Sequence, residues 1–278
     1  MRGETAVFNG PVQLRSHDIP IARLPGDADG LRIAHISDLH LRSLDGAALE
    51  AQSLLLKLDY HLLVCTGDIA CAGQTVDEAA DLCRRFFGPL TERSRCLAVL
   101  GNHDPEALAG QARLPVTFLC DEALTIRVGP STLAVAGVNQ AGGRPGMPDR
   151  AVDGIAPEQL TILLAHYPST VYRIRDPRVR LVLAGHTHGG QIRLPLVGCL
   201  WAQDQIPLGL VRGLHMVQGR CLNVSAGLGV STPLRFRFLC PPELSIVTLR
   251  RVEAPGPTFL ERQRGKIGEV GVPEPSMV

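Results

Sequence analysis

Lysine is nearly absent. Lys57 and Lys266 are the only two in 278 residues, so almost all the positive charge is arginine. The bias is read first as codon usage and second as phosphate-binding design. No block of like charge occurs either, and 28 basic residues against 27 acidic ones leave a formal net charge of +1. A nucleic-acid-binding chain carries a basic stripe, so nucleic acid is not expected as a partner. No uninterrupted apolar stretch approaches the ~18 residues of a membrane-spanning helix. The opening segment MRGETAVFNGPVQLRSHDIP has no apolar centre resembling a signal peptide. The eight cysteines include no C-x-x-C pair, which excludes a zinc ribbon or a thioredoxin-like motif. Several of them, such as Cys65 closing HLLVC, lie in apolar runs, so buried reduced thiols are expected. These absences together point to a cytoplasmic protein, with peripheral contact at the inner membrane face left open.

The apolar residues, 45% of the chain, are gathered into short runs that end in turn-forming residues. LRIAHIS precedes Asp38, HLLVC precedes Gly67, CLAVL precedes Gly101, LTILLA precedes His166, and VRLVLA precedes Gly185. Continuous apolar runs of this length predict strands buried on both faces. Between the early runs, Leu44–Leu58 and Gln74–Phe87 carry apolar residues at helical spacing. Strands alternating with helices predict an α/β fold. From Val116 to Val138 three apolar segments follow closely, with RVGPS as a turn, which predicts a hairpin joining a second sheet. The segment after Arg251 is rich in Pro, Gly and charge and is expected to be mobile.

The polar residues at the ends of these runs are metal-ligand types: Asp38-Leu39-His40, Gly67-Asp68, Gly101-Asn102-His103-Asp104, His166, and Gly185-His186-Thr187-His188. Five of the nine histidines fall in these clusters, too many for five unrelated turns. In open α/β sheets ligands bind beyond the carboxyl ends of strands, so such loops converge. Imidazole, carboxylate and amide together suit Mn, Fe, Zn or Co better than Mg or Ca. Two such ions about 3.5–4 Å apart activate water and clamp phosphoryl oxygens, and a shared carboxylate, for which Asp68 is the candidate, holds them together.

In order and type, D-L-H, G-D, G-N-H-D, H and G-H-T-H resemble the calcineurin-like metallophosphoesterase superfamily over roughly residues 31–250. GHTHGGQIRLP (185–195), NVSAGLG (223–229) and LRFRFLCPPELSIVTLR (234–250) are similar to a bacterial branch of YaeI- and YkuE-like phosphodiesterases, related to enzymes acting on UDP-2,3-diacylglucosamine. The resemblance implies an α/β/β/α sandwich of two mixed sheets flanked by helices. It also implies a catalytic domain over 31–250, an N-terminal extension (1–30) packing on it, and a tail over 251–278. It implies two divalent metal ions: Asp38, His40 and His188 on one, Asn102, His166 and His186 on the other, with Asp68 shared. His103 would then face the phosphate, donating to a phosphoryl oxygen or protonating the leaving group, with Asp104 orienting it. Ile69-Ala70-Cys71 replaces the Asp-Arg of the protein phosphatases of this superfamily, which disfavours protein dephosphorylation, and GVNQ (137–140) stands where the branch often has G-V-D-D.

The expected activity is that of a phosphodiesterase or pyrophosphatase on a phosphoester substrate, with a nucleotide-linked lipid as the analogy and lipid metabolism as its setting. A general phosphatase or nucleotide phosphodiesterase is the alternative. A non-catalytic module on this fold would have lost ligands, and none is missing here. Arg42, Arg144, Arg193 and Arg212 are weak candidates for substrate phosphates. His35 and His61 are expected to be structural. RFR (235–237) is read as a strand with Phe236 opposite the arginines. Leu194–Trp201 is read as packing on the second sheet, with a lipid- or partner-contacting lip as the alternative.

Overall fold

The computed structural model describes residues 10–230 and 236–252. The expected tail lies, beyond Val252, outside the described residues. Each of the five apolar runs forms a strand. Six strands make the first sheet, in the order β1 (Gln13–Ala22), β14 (Glu243–Val252), β2 (Arg32–Ile36), β3 (Leu62–Cys65), β4 (Arg95–Ala98) and β5 (Thr117–Phe118). β2 to β5 are parallel, β14 runs antiparallel to β2, and β1 lies parallel to β14 along the edge. The second sheet has the order β12 (Gly213–Val217), β13 (Arg220–Val224), β9 (Val179–Ala184), β8 (Thr161–Leu164), β7 (Ser131–Gly137) and β6 (Glu122–Val128). The predicted hairpin is β6–β7, turning at Gly129–Pro130.

Alternation along each strand builds three cores. Leu62, Val64 and Leu97 of the first sheet meet Val135, Ile162, Leu164, Leu181 and Leu183 of the second, and this is the sandwich interior. Leu63, Cys65 and Ala98 point the other way, against α1 (Gly46–Leu55) and α2 (Val76–Phe87). Side chains in a strand take opposite faces in turn, so a strand covered on both sides must be apolar at every position. α2 begins with a reciprocal cap: Glu78 N donates to Thr75 Oγ1 at 3.3 Å, and Thr75 N donates to the Glu78 carboxylate at 2.8 Å. Leu163, Val182 and Ala184 face outward beneath Val171, Ile174 and Leu210. This outer layer is thinner than the α/β/β/α pattern implies: α3 (Pro148–Ala151) is one turn and the rest is 3-10 turns and loops.

All eight cysteines carry reduced thiols, seven of them buried. No helix among the described residues is long and apolar enough to cross a membrane. Because β2, β3, β4, β8 and β9 run parallel within their sheets, their carboxyl ends collect along one rim of the sandwich. Asp38 N donates to Gly67 O at 2.9 Å and His40 N to Asp68 O at 3.0 Å, lacing the first two loops together. Gly185 brings in the second sheet, since a Cβ there would stand 1.8 Å from Ser37 Oγ and 2.5 Å from an Asp38 carboxylate oxygen.

Candidate metal centre

At this rim the donor atoms fall into two groups. Asp38, His40 and His188 form one, and Asp68, His166 and His186 the other, each with one donor per residue and all donors within 4.8 Å of each other. In the first, His40 Nε2 lies 3.2 Å from His188 Nε2, which is 3.6 Å from Asp38 Oδ1. In the second, His166 Nε2 lies 3.1 Å from His186 Nδ1 and 3.0 Å from Asn102 Oδ1, which brings the amide to this group. Asp68 Oδ2 stands 3.4 Å from His166 Nε2 and 3.5 Å from His40 Nε2, reaching both groups. The structure therefore brings together all seven expected ligand residues.

Five of the seven hold their positions through unusual backbone. Asp38, His40, Asp68, His186 and His188 have φ between 44° and 68°, a left-handed conformation that non-glycine residues seldom adopt. Each costs of order 1 kcal/mol and persists because the surrounding contacts over-determine it. Bonds behind the donors select which ring nitrogen faces inward. His166 Nδ1 donates to Thr66 O at 2.8 Å and His186 Nε2 to Gln203 O at 3.1 Å, so the opposite nitrogens present lone pairs. Gln140 fastens the same loop, its amide oxygen accepting from His166 N at 2.7 Å and Tyr167 N at 2.9 Å.

The electrostatics suit a cation. Burial pushes His40 down to about 4 and, with His166 beside it, His186 down to about 3. Burial also holds His188 well below its ordinary value. Neutral imidazoles with free lone pairs result. Burial alone would raise the Asp68 carboxyl, but His166, His40 and His103 reverse this and hold it well below the carboxylate range. Burial would likewise depress His166, yet the Asp68 and Asp38 carboxylates drive it up to about 9. Positive charge is thus drawn to the centre of the cluster, which is the demand a divalent ion meets. The N/O donor set fits Mn, Fe, Zn or Co.

His103 joins neither group. Its side chain is 23% exposed, its Nε2 stands 3.9 Å from Asp68 Oδ2, and its ring packs edge-on against His40 with centroids 5.1 Å apart. Asp104 requires a correction. It does not orient the His103 ring, because its two oxygens accept from Ala70 N at 2.8 Å and Gly101 N at 2.9 Å. Three residues after Gly101, this buried carboxylate satisfies two buried backbone amides that would otherwise lack a partner. Asp104 is a brace between the Asp68 and Asn102 loops. Burial and the nearby Asp68 raise it to about 7.

The sequence reading gave Arg237 no role at the site. Arg237 is buried at 2% exposure and Phe236 is exposed, so the two face opposite ways as expected. Both lie outside the named strands, and Arg235 lies outside the described residues. The Arg237 guanidinium donates to Gly229 O and to Cys240 O (3.3 Å), and Nη2 lies 3.3 Å from His188 Nδ1. Two alternating arginines in an apolar segment gave no signal of this. His35 is fully buried as expected, but His61 is exposed, accepting from Arg32 N. Arg212 is committed to Glu243 at 2.7 Å and Arg144 to Glu106, so neither guanidinium is free for substrate. Of Leu194–Trp201 only Cys199 packs on the second sheet's outer core, while Leu194, Leu196, Val197, Leu200 and Trp201 are exposed. Beside the second group opens a cleft of about 610 Å³ lined by Asn102, Tyr167, Arg173, His186 and Gln203.

Two sheets delivering Asp, His and Asn donors to one rim define a metal-dependent hydrolase. A family model described as calcineurin-like phosphoesterase matches residues 31–190, and the chain belongs to that family. It is a metal-dependent phosphoester hydrolase. It is 30% identical over 257 residues to the uncharacterized metallophosphoesterase YkuE of Bacillus subtilis, covering 86% of each chain. Phosphodiesterase YaeI of Escherichia coli is 26% identical, over 82% of this chain and 86% of that one. UDP-2,3-diacylglucosamine pyrophosphatase LpxG of Chlamydia trachomatis is 24% identical, over 78% of this chain and 83% of that one.

Proposed function

We propose that this protein hydrolyses phosphodiester or pyrophosphate bonds with a dinuclear centre, acting on a nucleotide-linked lipid of the UDP-2,3-diacylglucosamine type. The reading rests above all on Asp68 Oδ2, which lies 3.5 Å from His40 Nε2 and 3.4 Å from His166 Nε2 and so serves both donor groups. Asp38, His40 and His188 would hold the first ion and Asn102, His166 and His186 the second, with Asp68 within reach of both. Two divalent ions held there would supply an activated water and neutralise charge on the phosphoryl oxygens.

The chain's own residues do the rest. Thr66 O and Gln203 O fix the tautomers of His166 and His186. Buried neutral rings keep bulk water out and strengthen each charge interaction at the phosphate. His103, on the solvent side of Asp68, gives its proton to the departing oxygen. The cleft beside Asn102 and Tyr167 accepts the part of the substrate that does not react. The lipid identity is supported by the LpxG likeness, which names that substrate for that protein. A cytoplasmic setting belongs to the same reading.

The test is a substrate panel with the purified chain supplemented with Mn, Zn, Fe or Co. Bis(p-nitrophenyl) phosphate, p-nitrophenyl phosphate and UDP-2,3-diacylglucosamine are compared by kcat/KM. The diester and the nucleotide lipid are expected to exceed the monoester. Faster turnover of the monoester would replace the diesterase reading with a general phosphatase.

A further inference from the structure

The short hairpin beyond His188 is difficult to explain from within the fold. β10 (Arg193–Leu194) and β11 (Gly198–Cys199) pair antiparallel around a tip of Pro195, Leu196 and Val197. Leu196 sits at φ 65° with 108% exposure, touching nothing that would bury it. A turn position of this kind favours Gly or Asn, and solvent favours a polar side chain. A leucine there satisfies neither preference. Trp201 is 67% exposed, and Leu194, Val197 and Leu200 are exposed with it. Phe238 is stitched to the base of the hairpin: Arg193 N donates to Phe238 O at 2.9 Å, and Phe238 N to Gln191 O at 3.0 Å. Phe236, Phe238 and Leu239 therefore add exposed apolar surface next to it.

We infer that this hairpin, with Phe236–Leu239 beside it, is a lip that inserts into the surface of an anionic lipid bilayer. Three features favour a bilayer over a protein partner. The tip projects outward, and a bilayer needs no matching pocket to receive it. From Pro195 to Trp201 the exposed side chains offer only aliphatic and indole surface, whereas protein interfaces carry about one hydrogen bond per 100–200 Å². No acidic side chain occurs over residues 187–203 or 236–242, while the half-buried Arg193, one Nη of which donates to Gly189 O at 3.0 Å, puts a positive charge at the base of the lip, a sign that suits anionic headgroups. An indole at the base of an aliphatic tip matches the preference of Trp for the headgroup level.

The lip is anchored to the metal centre at both ends. His188 leads through Gly189 and Gly190 into its first strand, and Gln203, just past Trp201, accepts from His186 Nε2. A bilayer at the lip would therefore lie at the mouth of the site. The docking goes beyond the proposed reaction and is measurable without turnover.

Trp201 is the sole tryptophan, so its emission reports the lip directly. Vesicles of 70:30 phosphatidylcholine and phosphatidylglycerol are expected to blue-shift it and to co-sediment the full chain, with weaker binding to phosphatidylcholine alone. Each large apolar side chain withdrawn from water contributes about tenfold or more in partitioning. Leu196→Gln combined with Trp201→Gln is thus expected to weaken co-sedimentation by about a hundredfold. Melting temperature and Mn-supported hydrolysis of bis(p-nitrophenyl) phosphate are expected to stay at the parental level. Absence of both blue shift and co-sedimentation for the parental chain would overturn the inference. So would self-association in sedimentation velocity, lost in the double variant, without vesicle binding, which would assign the lip to a second copy. Activity failing on every substrate while vesicle binding persists would count against the proposed reaction and leave the lip standing.

Discussion

Replacing His103 with Ala separates a proton donor from a metal ligand. The backbone N–H of residue 103 donates to Asp68 Oδ1 at 2.8 Å, and alanine retains that bond, so the Asp68 carboxylate keeps its place. The ring belongs to neither donor group, and its nearest approach to Asp68 Oδ2 is 3.9 Å. Metal content is therefore expected to match the parent by elemental analysis. A positioned general acid contributes about 10²–10⁴ in rate, equivalent to roughly 3–5 kcal/mol at the transition state. The loss should fall where protonation is needed. A diester with two alkyl leaving groups is expected to lose most of that factor, and one releasing p-nitrophenolate much less, because that anion departs with little help. Equal losses on both would move His103 to a phosphoryl-oxygen donor. Unchanged turnover on both, at full metal content, would refute any chemical role for it.

Asp68→Ala is expected to reduce bound metal from two ions per chain to one or fewer, measured by elemental analysis after dialysis; retention of two would remove the bridging assignment. Gly101→Ala would place a Cβ 2.3 Å from Asp68 Oδ1 and 2.5 Å from Asp68 N, so loss of metal and a drop in activity of at least about tenfold are expected, while α-helical circular dichroism persists. Acid stability depends on His35, which bonds Thr66 Oγ1 at 2.9 Å and Asn223 Nδ2 at 3.0 Å between the sheets. Burial, then the charge of His17, lowers it to about 3, below the ordinary 6.5 of the unfolded chain. The unfolded state therefore binds the extra proton. Stability from this residue is complete above about pH 6.5 and falls by up to about 1.4 kcal/mol per pH unit toward pH 3. Urea melts between pH 7 and pH 4 are expected to show that slope, reduced by one proton in His35→Gln; an identical slope would show that His35 does not titrate there.

The strands and the candidate ligand residues were legible because both signals are local. A strand covered on two faces must be apolar throughout, and the ligands follow directly where Ile36, Cys65, Ala98, Leu164 and Ala184 end their strands. The thin outer layer on the second sheet was not legible, because one-turn helices and 3-10 turns leave no periodicity to read. Asp104 misled for a related reason. Adjacency to His103 suggested a pair, while its bonds go to the amides of Gly101 and of Ala70, 34 residues away. Arg237 was hidden similarly, since its contact with His188 spans 49 residues and leaves no spacing pattern.

Order and residue type along the chain were enough to indicate a family, a reaction class and seven candidate donors, because ligand chemistry depends on which side chains are present. Their division into two groups joined through Asp68 depended on folding. His40 and His188 are 148 residues apart and meet at 3.2 Å only because the parallel strands of two mixed sheets end on the same rim. Folding also gave the apolar run after His188 its meaning. The same leucines and tryptophan would be core if a sheet covered them, and they form a lip because none does. Local composition encodes what a residue can do, and only the packing of distant segments sets what it faces.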